Sequence, residues 1–243
     1  MVLHETKIRL SKALLLRDAF TGEPVSSAVR LRSLSGGRVE RKSNGYFLFL
    51  DVVGPQFEIE ADSPIYQCRS ICLTVDGGEE VEEVLMYPSP SYPLRSGCTA
   101  VRGKAAPGGS LRCYVKDESQ SCRLTSDYKK GEAEISLYLK GGAKNVLWHI
   151  QEKQKKTGEY FQMKNLNEGT EVYSLGQPLA CAYKKKDTLI YPAQETAADE
   201  HGEFYLLLRE LPEEKCLLYY SYENAGKEKS GETEIIRAKE NYI

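Results

Sequence analysis

The chain has 243 residues, 41% of them hydrophobic and 28% charged, and its 33 basic and 35 acidic residues give a formal net charge of −2. This composition is typical of a globular protein and excludes wholesale disorder. Because no excess of positive charge is available to neutralise phosphates, we predict that nucleic acid is not a partner.

The N-terminal residues, the apolar runs and the cysteines indicate the cellular compartment. Residues 1–10 alternate apolar with polar side chains and lack the continuous apolar segment of an export signal. The longest apolar runs, such as residues 46–50, span about five residues, whereas roughly 20 are needed to cross a bilayer. The seven cysteines are odd in number and match no disulfide framework. We therefore predict a cytoplasmic protein with reduced thiols and no membrane partner.

The first ninety residues are dominated by short runs in which apolar residues alternate with polar ones. Residues 8–10 and 71–75 show this pattern, and Asp-Gly-Gly at 76–78 follows the second of them as a turn signal. Residues 79–83 are the best candidate for a helix in this part of the chain. A strand over residues 81–86 fits the same segment equally well.

A proline-rich segment follows at residues 87–97, with three prolines among tyrosine, serine and glycine. Proline removes backbone donors and favours an extended conformation. We interpret residues 89–97 as a linker that closes a first domain of residues 1–88. A proline-rich docking peptide is the alternative for this segment.

Internal similarity is the most informative feature of the chain. Three segments repeat a plan of turn, strand, tight turn and strand: residues 44–60, residues 201–220 and, more loosely, residues 157–174. Each has a glycine where a turn needs positive φ, followed two residues later by an aromatic side chain for the core, as at Gly45 and Phe47. In the looser copy, Phe161 and Met163 fall on the face opposite Tyr160.

These patterns predict an all-β protein built from tandem antiparallel β-sandwich modules of the transthyretin-like or immunoglobulin-like kind. The predicted second module covers residues 98–175, and a third β-rich module covers residues 176–243. Whether residues 98–243 form one module or two stays open from the sequence.

The first ninety residues resemble the carboxypeptidase regulatory-like family. The matching residues are Leu-Arg-Asp-Ala-Phe-Thr-Gly-Glu-Pro-Val at 16–25, Asn-Gly-Tyr-Phe at 44–47, and Tyr66. The resemblance implies a seven-stranded transthyretin-like sandwich in which the Asp, Thr-Gly and Pro open the first hairpin. Such motifs are specific for a fold and carry little about function.

Residues 87–103 resemble the linker that joins such a module to a second one in certain bacterial two-module proteins. The second module of those proteins carries an acidic-glycine-aromatic signature, which residues 199–204 match here. The resemblance implies an accessory or cap-associated component of a contractile, phage-tail-like machine.

Residues for catalysis or metal binding are sparse. The histidines, His4, His149 and His201, fall in different predicted modules, and no Cys-x-x-Cys occurs. We predict that each histidine is exposed or hydrogen-bonded. Hydroxyisourate hydrolases and intradiol dioxygenases share the transthyretin-like architecture, but their active-site residues find no match here. The sequence thus predicts a protein that is not an enzyme and has no catalytic, cofactor or metal site.

The predicted function is a structural or assembly module that binds an unidentified protein partner. Residues 204–208 and 217–220 are apolar at every position, which suits strands covered on both faces. We therefore expect residues 176–243 to carry the contact surface, with Tyr205 and Tyr219 as binding residues. The alternative is a module that binds carbohydrate or peptide, which a row of exposed aromatics on one sheet face would favour. The sequence reveals no such row.

Overall fold

The computed structural model describes residues 7–243, except residues 26, 44, 79–80, 94–96, 140–146, 154–157, 165–171, 210 and 225–226. The chain divides into two compact units, residues 1–94 and 95–243, called here the N-terminal unit and the C-terminal unit. Every regular element in the described residues is a β-strand, so the predicted all-β class is confirmed. Within the same residues, no helix is long and apolar enough to cross a membrane.

The described part of the N-terminal unit contains two sheets. One sheet has the strand order β3-β4-β1-β7 and the other has the order β2-β5-β6. The strands are β1 Leu10–Asp18, β2 Arg30–Ser33, β3 Arg38–Arg41, β4 Tyr46–Leu50, β5 Gln56–Asp62, β6 Arg69–Thr74 and β7 Val81–Met86.

These two sheets face each other across one apolar core, as in a sandwich. In β5, Phe57, Ile59 and Ala61 are buried and alternate with glutamates that face away from the core. The ring of Phe57 meets that of Phe49 from the other sheet, with centroids 5.1 Å apart. Burying one such ring stabilises the fold by about 2–3 kcal/mol. The period-two alternation of the sequence thus corresponds to the buried faces of a sandwich.

One strand pair of the N-terminal unit differs from the antiparallel prediction, because β1 and β7 run parallel. The helical alternative for residues 79–83 is wrong at residues 81–83, which belong to β7, while residues 79–80 lie outside the described residues. Ion pairs across this edge join Lys12 to Glu82 at 3.1 Å and Arg17 to Glu83 at 2.7 Å. Glu82 and Glu83 are therefore the partners of basic residues on β1.

The side chain of Asp18 organises the turn that follows β1. It is only 4% exposed. Its Oδ1 accepts hydrogen bonds from the backbone N–H groups of Phe20 at 2.7 Å and Thr21 at 3.0 Å. Its Oδ2 accepts from the hydroxyl groups of Tyr66 at 2.8 Å and Tyr92 at 2.6 Å. A buried carboxylate needs several donors of this kind to offset the cost of its burial.

The proline-rich segment begins as part of the N-terminal unit. The backbone N–H of Ser89 donates to the carbonyl of Ile65 at 2.9 Å. The ring of Tyr92 contacts those of Phe20 and Tyr66, with centroids 6.2 and 5.7 Å apart. The unit therefore extends beyond the predicted boundary at residue 88, because a side chain inside the predicted linker completes the set of donors around the buried aspartate.

We expect a fragment of residues 1–94 to be more stable than a fragment of residues 1–88 by about 2–3 kcal/mol. The shorter fragment lacks Tyr92 and so loses a hydrogen bond to the buried carboxylate of Asp18 and two aromatic contacts. Urea unfolding of both fragments, followed by far-UV circular dichroism, measures the difference. The longer fragment carrying Tyr92→Phe is the matched control and should fall between the two. Equal stability of the two fragments would contradict the extended boundary.

The described part of the C-terminal unit also contains two sheets. The larger has the order β10-β11-β14-β13-β12-β15-β9-β17-β18, and the smaller has the order β16-β8-β19. The strands are β8 Thr99–Lys104, β9 Ser110–Val115, β10 Arg123–Leu124, β11 Glu134–Tyr138, β12 Leu147–Glu152, β13 Gly158–Lys164, β14 Val172–Leu175, β15 Thr188–Ala197, β16 Glu203–Leu208, β17 Lys215–Asn224, β18 Lys227–Ile236 and β19 Glu240–Tyr242.

The strands of the C-terminal unit do not divide at residue 175 as the sequence predicted. Strand β9 pairs with β15 and with β17, so strands of both predicted modules share one sheet. The long strand β15 pairs through residues 188–192 with β12 and through residues 193–197 with β9. One apolar cluster is built from residues 122–190, and another from residues 101–113 and 198–235.

The segment between β9 and β15 is thus an insertion with an apolar core of its own. The residues before and after this segment together form a separate sandwich. Alternation indicates which face of a strand is buried, but it does not identify the neighbouring strand. A second difference from the antiparallel prediction lies in the smaller sheet, where β19 runs parallel to β8.

Candidate functional site

Five aromatic rings lie together on one face of the large sheet. They are called here the aromatic cluster: Tyr114, His149, Tyr160, Tyr191 and Tyr219. Cross-strand pairing places Tyr219 opposite Tyr114, and His149 opposite both Tyr191 and Tyr160. Directly paired residues share a face of a sheet. The cluster thus spans the five neighbouring strands β17, β9, β15, β12 and β13.

The ring of Tyr114 is the centre of this cluster. It stacks on His149 with centroids 3.9 Å apart and planes 10° from parallel, and on Tyr219 at 5.2 Å and 18°. Its hydroxyl donates to Oε1 of Gln151 at 3.4 Å. Tyr114, His149 and Tyr191 are buried, whereas Tyr160 and Tyr219 are half-buried. The cluster therefore packs as a core, with partly exposed rings at its margins.

His149 differs from the prediction that each histidine is exposed or hydrogen-bonded. It is 5% exposed, and its Nδ1 has no hydrogen-bond partner among the described residues. Burial, with a smaller contribution from the charge of Lys116, lowers the pKa of His149 from 6.5 to about 3. The imidazole is therefore neutral at pH 7. His201 is exposed as predicted, and His4 lies outside the described residues.

Gly158, in the next strand, makes room for His149. A Cβ atom at this glycine would lie 2.6 Å from Cε1 of His149 and would also collide with the carbonyl of Ile150. The repeat pattern predicts a turn with positive φ at this glycine, but the residue lies in β13. Its role is a close approach between side chain and backbone.

Tyr205 lies in β16, in the smaller sheet, and is only 4% exposed. Phe204 and Leu206, its neighbours in the strand, belong to the apolar core, so Tyr205 points to the opposite face. The guanidinium of Arg102 lies over its ring, 5.1 Å from the centroid. A buried ring of this kind is not an accessible contact residue, and its predicted binding role stays a prediction.

Tyr219 lies in β17, one strand from the edge of the large sheet. The ammonium group of Lys116 lies 4.1 Å from its ring centroid. Leu217, two residues earlier and on the same face, is 41% exposed. The structure therefore places Tyr205 and Tyr219 in different sheets, and of the two only Tyr219 lies beside exposed surface.

Strand β18 forms one edge of the large sheet, and over its ten residues it pairs with β17 alone among the described strands. Near its end, the backbone N–H of Ile236 donates to Oδ1 of Asn241 at 2.8 Å, and the carbonyl of Ile236 accepts from Nδ2 of Asn241 at 3.1 Å. Both backbone groups of Ile236 thus point away from β17.

In an antiparallel ladder, the residues whose backbone groups point outward alternate along the strand. The outward residues of β18 before Ile236 are therefore Glu228, Ser230, Glu232 and Glu234. All four are exposed, and no backbone hydrogen bond joins their outward groups to another residue in the described part of the chain. This edge is a template for one more strand. Sequence alternation does not indicate this edge, because it does not show which strand ends a sheet.

The seven cysteines, all within the described residues, are free. No group of three or more histidine, cysteine, aspartate or glutamate residues in the described part could hold a metal ion.

No protein-family model and no curated protein matches the chain. Among solved structures, it is similar to the shaft pilin SpaA from Lactobacillus rhamnosus GG at 9% identity, covering 97% of this chain and 96% of the pilin, with a TM-score of 0.25. A mutant of that pilin matches at 10% identity over the same shares, with a TM-score of 0.23. A titin structure matches at 9% identity over 97% of this chain and 98% of that one, with a TM-score of 0.15. Likenesses with such low TM-scores carry no argument about function.

Proposed function

We propose that this chain is a non-enzymatic structural or assembly protein that binds another protein, and that its contact surface is the edge of β18 with the adjoining face around Tyr219. The observation that supports the proposal is the length of this exposed edge. Outward backbone groups at Glu228, Ser230, Glu232 and Glu234 have no backbone partner in the described residues. Proteins usually keep edge strands short or covered, and adding a strand to an open edge is a common way to bind an extended segment.

The resemblance of residues 87–103 to the linker of bacterial two-module proteins makes the proposal more specific. Relatives of that kind accompany contractile, phage-tail-like machines. The specific form of our proposal is an accessory or cap-associated component of such a machine.

The alternative of a carbohydrate- or peptide-binding module depends on exposed aromatics aligned on one face. The aromatic cluster is aligned, but Tyr114, His149 and Tyr191 within it are buried. Rings that pack against one another offer no open platform for a sugar ring, so the aromatic cluster does not favour carbohydrate binding.

We expect Glu232→Pro to reduce partner binding at least about tenfold while the fold is kept. Proline removes the outward N–H of Glu232 and blocks a hydrogen bond to an added strand, but leaves the pairing with β17 intact. The measurement is affinity capture from the native cell with quantitative mass spectrometry, comparing the full-length variant with the wild-type chain.

Glu232→Gln is the matched control, because it removes the charge but keeps the N–H group. It should retain most of the binding. A protein captured equally by the wild-type chain and by Glu232→Pro would show that the β18 edge is not the contact surface. Thermal unfolding of both variants, monitored by circular dichroism, separates loss of binding from loss of fold.

A further inference from the structure

The side chains of β18 are sorted by charge between its two faces. Glu232 pairs directly with Tyr219 and therefore lies on the face of the aromatic cluster. Ile235 lies on the other face, in the apolar core. Because side chains alternate along a strand, Glu228 and Glu234 share the face of Glu232. This face of the edge is acidic.

Little of this negative charge is neutralised within the described residues. Glu234 forms an ion pair with Lys215 at 2.9 Å, in which both side chains are more than 60% exposed. Glu228 and Glu232 are exposed and form no ion pair with any residue that the structure describes. An exposed pair such as Lys215–Glu234 is weak and can be exchanged for another partner.

The same sorting disfavours a second copy of this chain as the added strand. In antiparallel pairing at this edge, outward residues face outward residues, so Glu228, Glu232 and Glu234 would lie opposite one another or opposite Ser230. Like charges directly opposite in a sheet are destabilising. Charged edge residues are a usual defence against edge-to-edge association of this kind. The occupant of the edge is therefore a different segment.

We infer that the edge of β18 binds an extended segment of another protein that carries lysine or arginine at alternate positions. This inference rests on the proposed function and specifies the chemistry of its partner. In the added strand, basic side chains on one face would lie opposite Glu228, Glu232 and Glu234. Attraction across the strand pair would replace the repulsion that a second copy meets. The main-chain hydrogen bonds supply attachment, and the charge pattern supplies the choice of partner.

The test uses synthetic peptides about as long as β18 and the full-length chain. One peptide alternates valine with lysine, and a second alternates valine with glutamate. Fluorescence anisotropy of labelled peptides measures both dissociation constants at low salt. We expect the lysine peptide to bind at least about tenfold more tightly than the glutamate peptide, and the difference to shrink at high salt. The double variant Glu228→Lys, Glu232→Lys should reverse the preference.

Glu232→Pro separates strand addition from simple charge attraction, since it keeps the other two glutamates of this face but lacks an outward N–H. It should bind the lysine peptide at least about tenfold more weakly than Glu232→Gln does. Equal affinity for the two peptides, with loss of both in Glu232→Pro, would overturn the inference about charge and leave the edge as an acceptor. Failure of both peptides to bind would overturn the edge itself, and with it the proposed surface. Binding of the lysine peptide unchanged in Glu232→Pro would show surface attraction without strand addition and would also overturn the inference.

Discussion

Replacing Asp18 with alanine is expected to destabilise the N-terminal unit by about 4 kcal/mol and to leave the C-terminal unit unchanged. The substitution removes the acceptor for the backbone N–H groups of Phe20 and Thr21 and for the hydroxyls of Tyr66 and Tyr92. Hydrogen bonds to a charged group contribute about 1.5–3 kcal/mol each, but bonds within one network do not add in full, and removing the carboxylate also removes the cost of burying its charge. Since domains are stable by about 5–15 kcal/mol, this loss brings the unit close to unfolding.

The single tryptophan of the chain makes this prediction easy to check. Trp148 is buried in the C-terminal unit, so its fluorescence reports unfolding of that unit, whereas far-UV circular dichroism reports both. In urea, Asp18→Ala should lower the midpoint for the N-terminal unit, which circular dichroism detects, and leave the midpoint measured by tryptophan fluorescence unchanged. Tyr66→Phe and Tyr92→Phe each remove one donor and should cost about 1–2 kcal/mol. A shift of the tryptophan transition, or no shift in circular dichroism, would contradict the assigned role of Asp18.

Replacing His149 with phenylalanine is expected to remove a large part of the acid sensitivity of the C-terminal unit. In the folded chain the pKa of His149 is about 3, against 6.5 for an ordinary histidine. The unfolded state therefore binds a proton that the folded state excludes as the pH falls below 6.5. The stability present above pH 6.5 is lost progressively down to about pH 3. At pH 4.5 this loss is about 2–3 kcal/mol.

Phenylalanine keeps the stacking on Tyr114 but cannot take up a proton, and it also removes the buried Nδ1 that lacks a partner. Urea unfolding followed by the fluorescence of Trp148 at pH 7 and pH 4.5 measures the effect. The stability lost between the two pH values should be about 2–3 kcal/mol smaller in His149→Phe than in the wild-type chain. His201→Phe, at an exposed histidine, is the control and should lose as much as the wild-type chain. An equal loss in all three proteins would show that His149 does not control the acid response.

The internal repeats show how far the sequence alone reaches. At Gly45 and Gly202, φ is +87° and +77°, and the aromatic residues two positions later, Phe47 and Phe204, are buried. These features follow from local rules, since glycine alone adopts such φ values without strain and alternation selects the inward side chain. The looser copy around Gly158 keeps the aromatic spacing but not the turn.

In that looser copy, only one part of the prediction is confirmed. Phe161 and Met163 enter one core, and Tyr160 lies on the opposite face in the aromatic cluster, as the alternation predicted. Gly158 instead leaves space for the ring of His149 in the neighbouring strand. No rule within the segment could show that contact, because it depends on which strand becomes the neighbour.

At the candidate site, too, the sequence predicts the strands but not which strands become neighbours. The sequence singled out Tyr205 and Tyr219 from continuous apolar runs, and both runs are indeed in strands. Tyr205 is only 4% exposed, and Tyr219 lies next to an edge strand. Both features depend on the order of the strands in the sheets. The aromatic cluster could not be predicted from the sequence, because its five rings come from five strands that are separated in sequence by up to about a hundred residues.

Sequence patterns alone predict the all-β class, the buried faces of strands such as β4 and β16, and the turns at Gly45 and Gly202, because these depend on side-chain period and backbone φ over a few neighbouring residues. Contacts between distant residues set three other features: residues 116–187 are inserted between β9 and β15, Tyr92 completes the N-terminal unit, and β18 ends the large sheet. Local patterns do not predict these features, since period-two alternation is satisfied by any neighbour with a matching apolar face. The choice among neighbours belongs to contacts between residues that are distant in sequence.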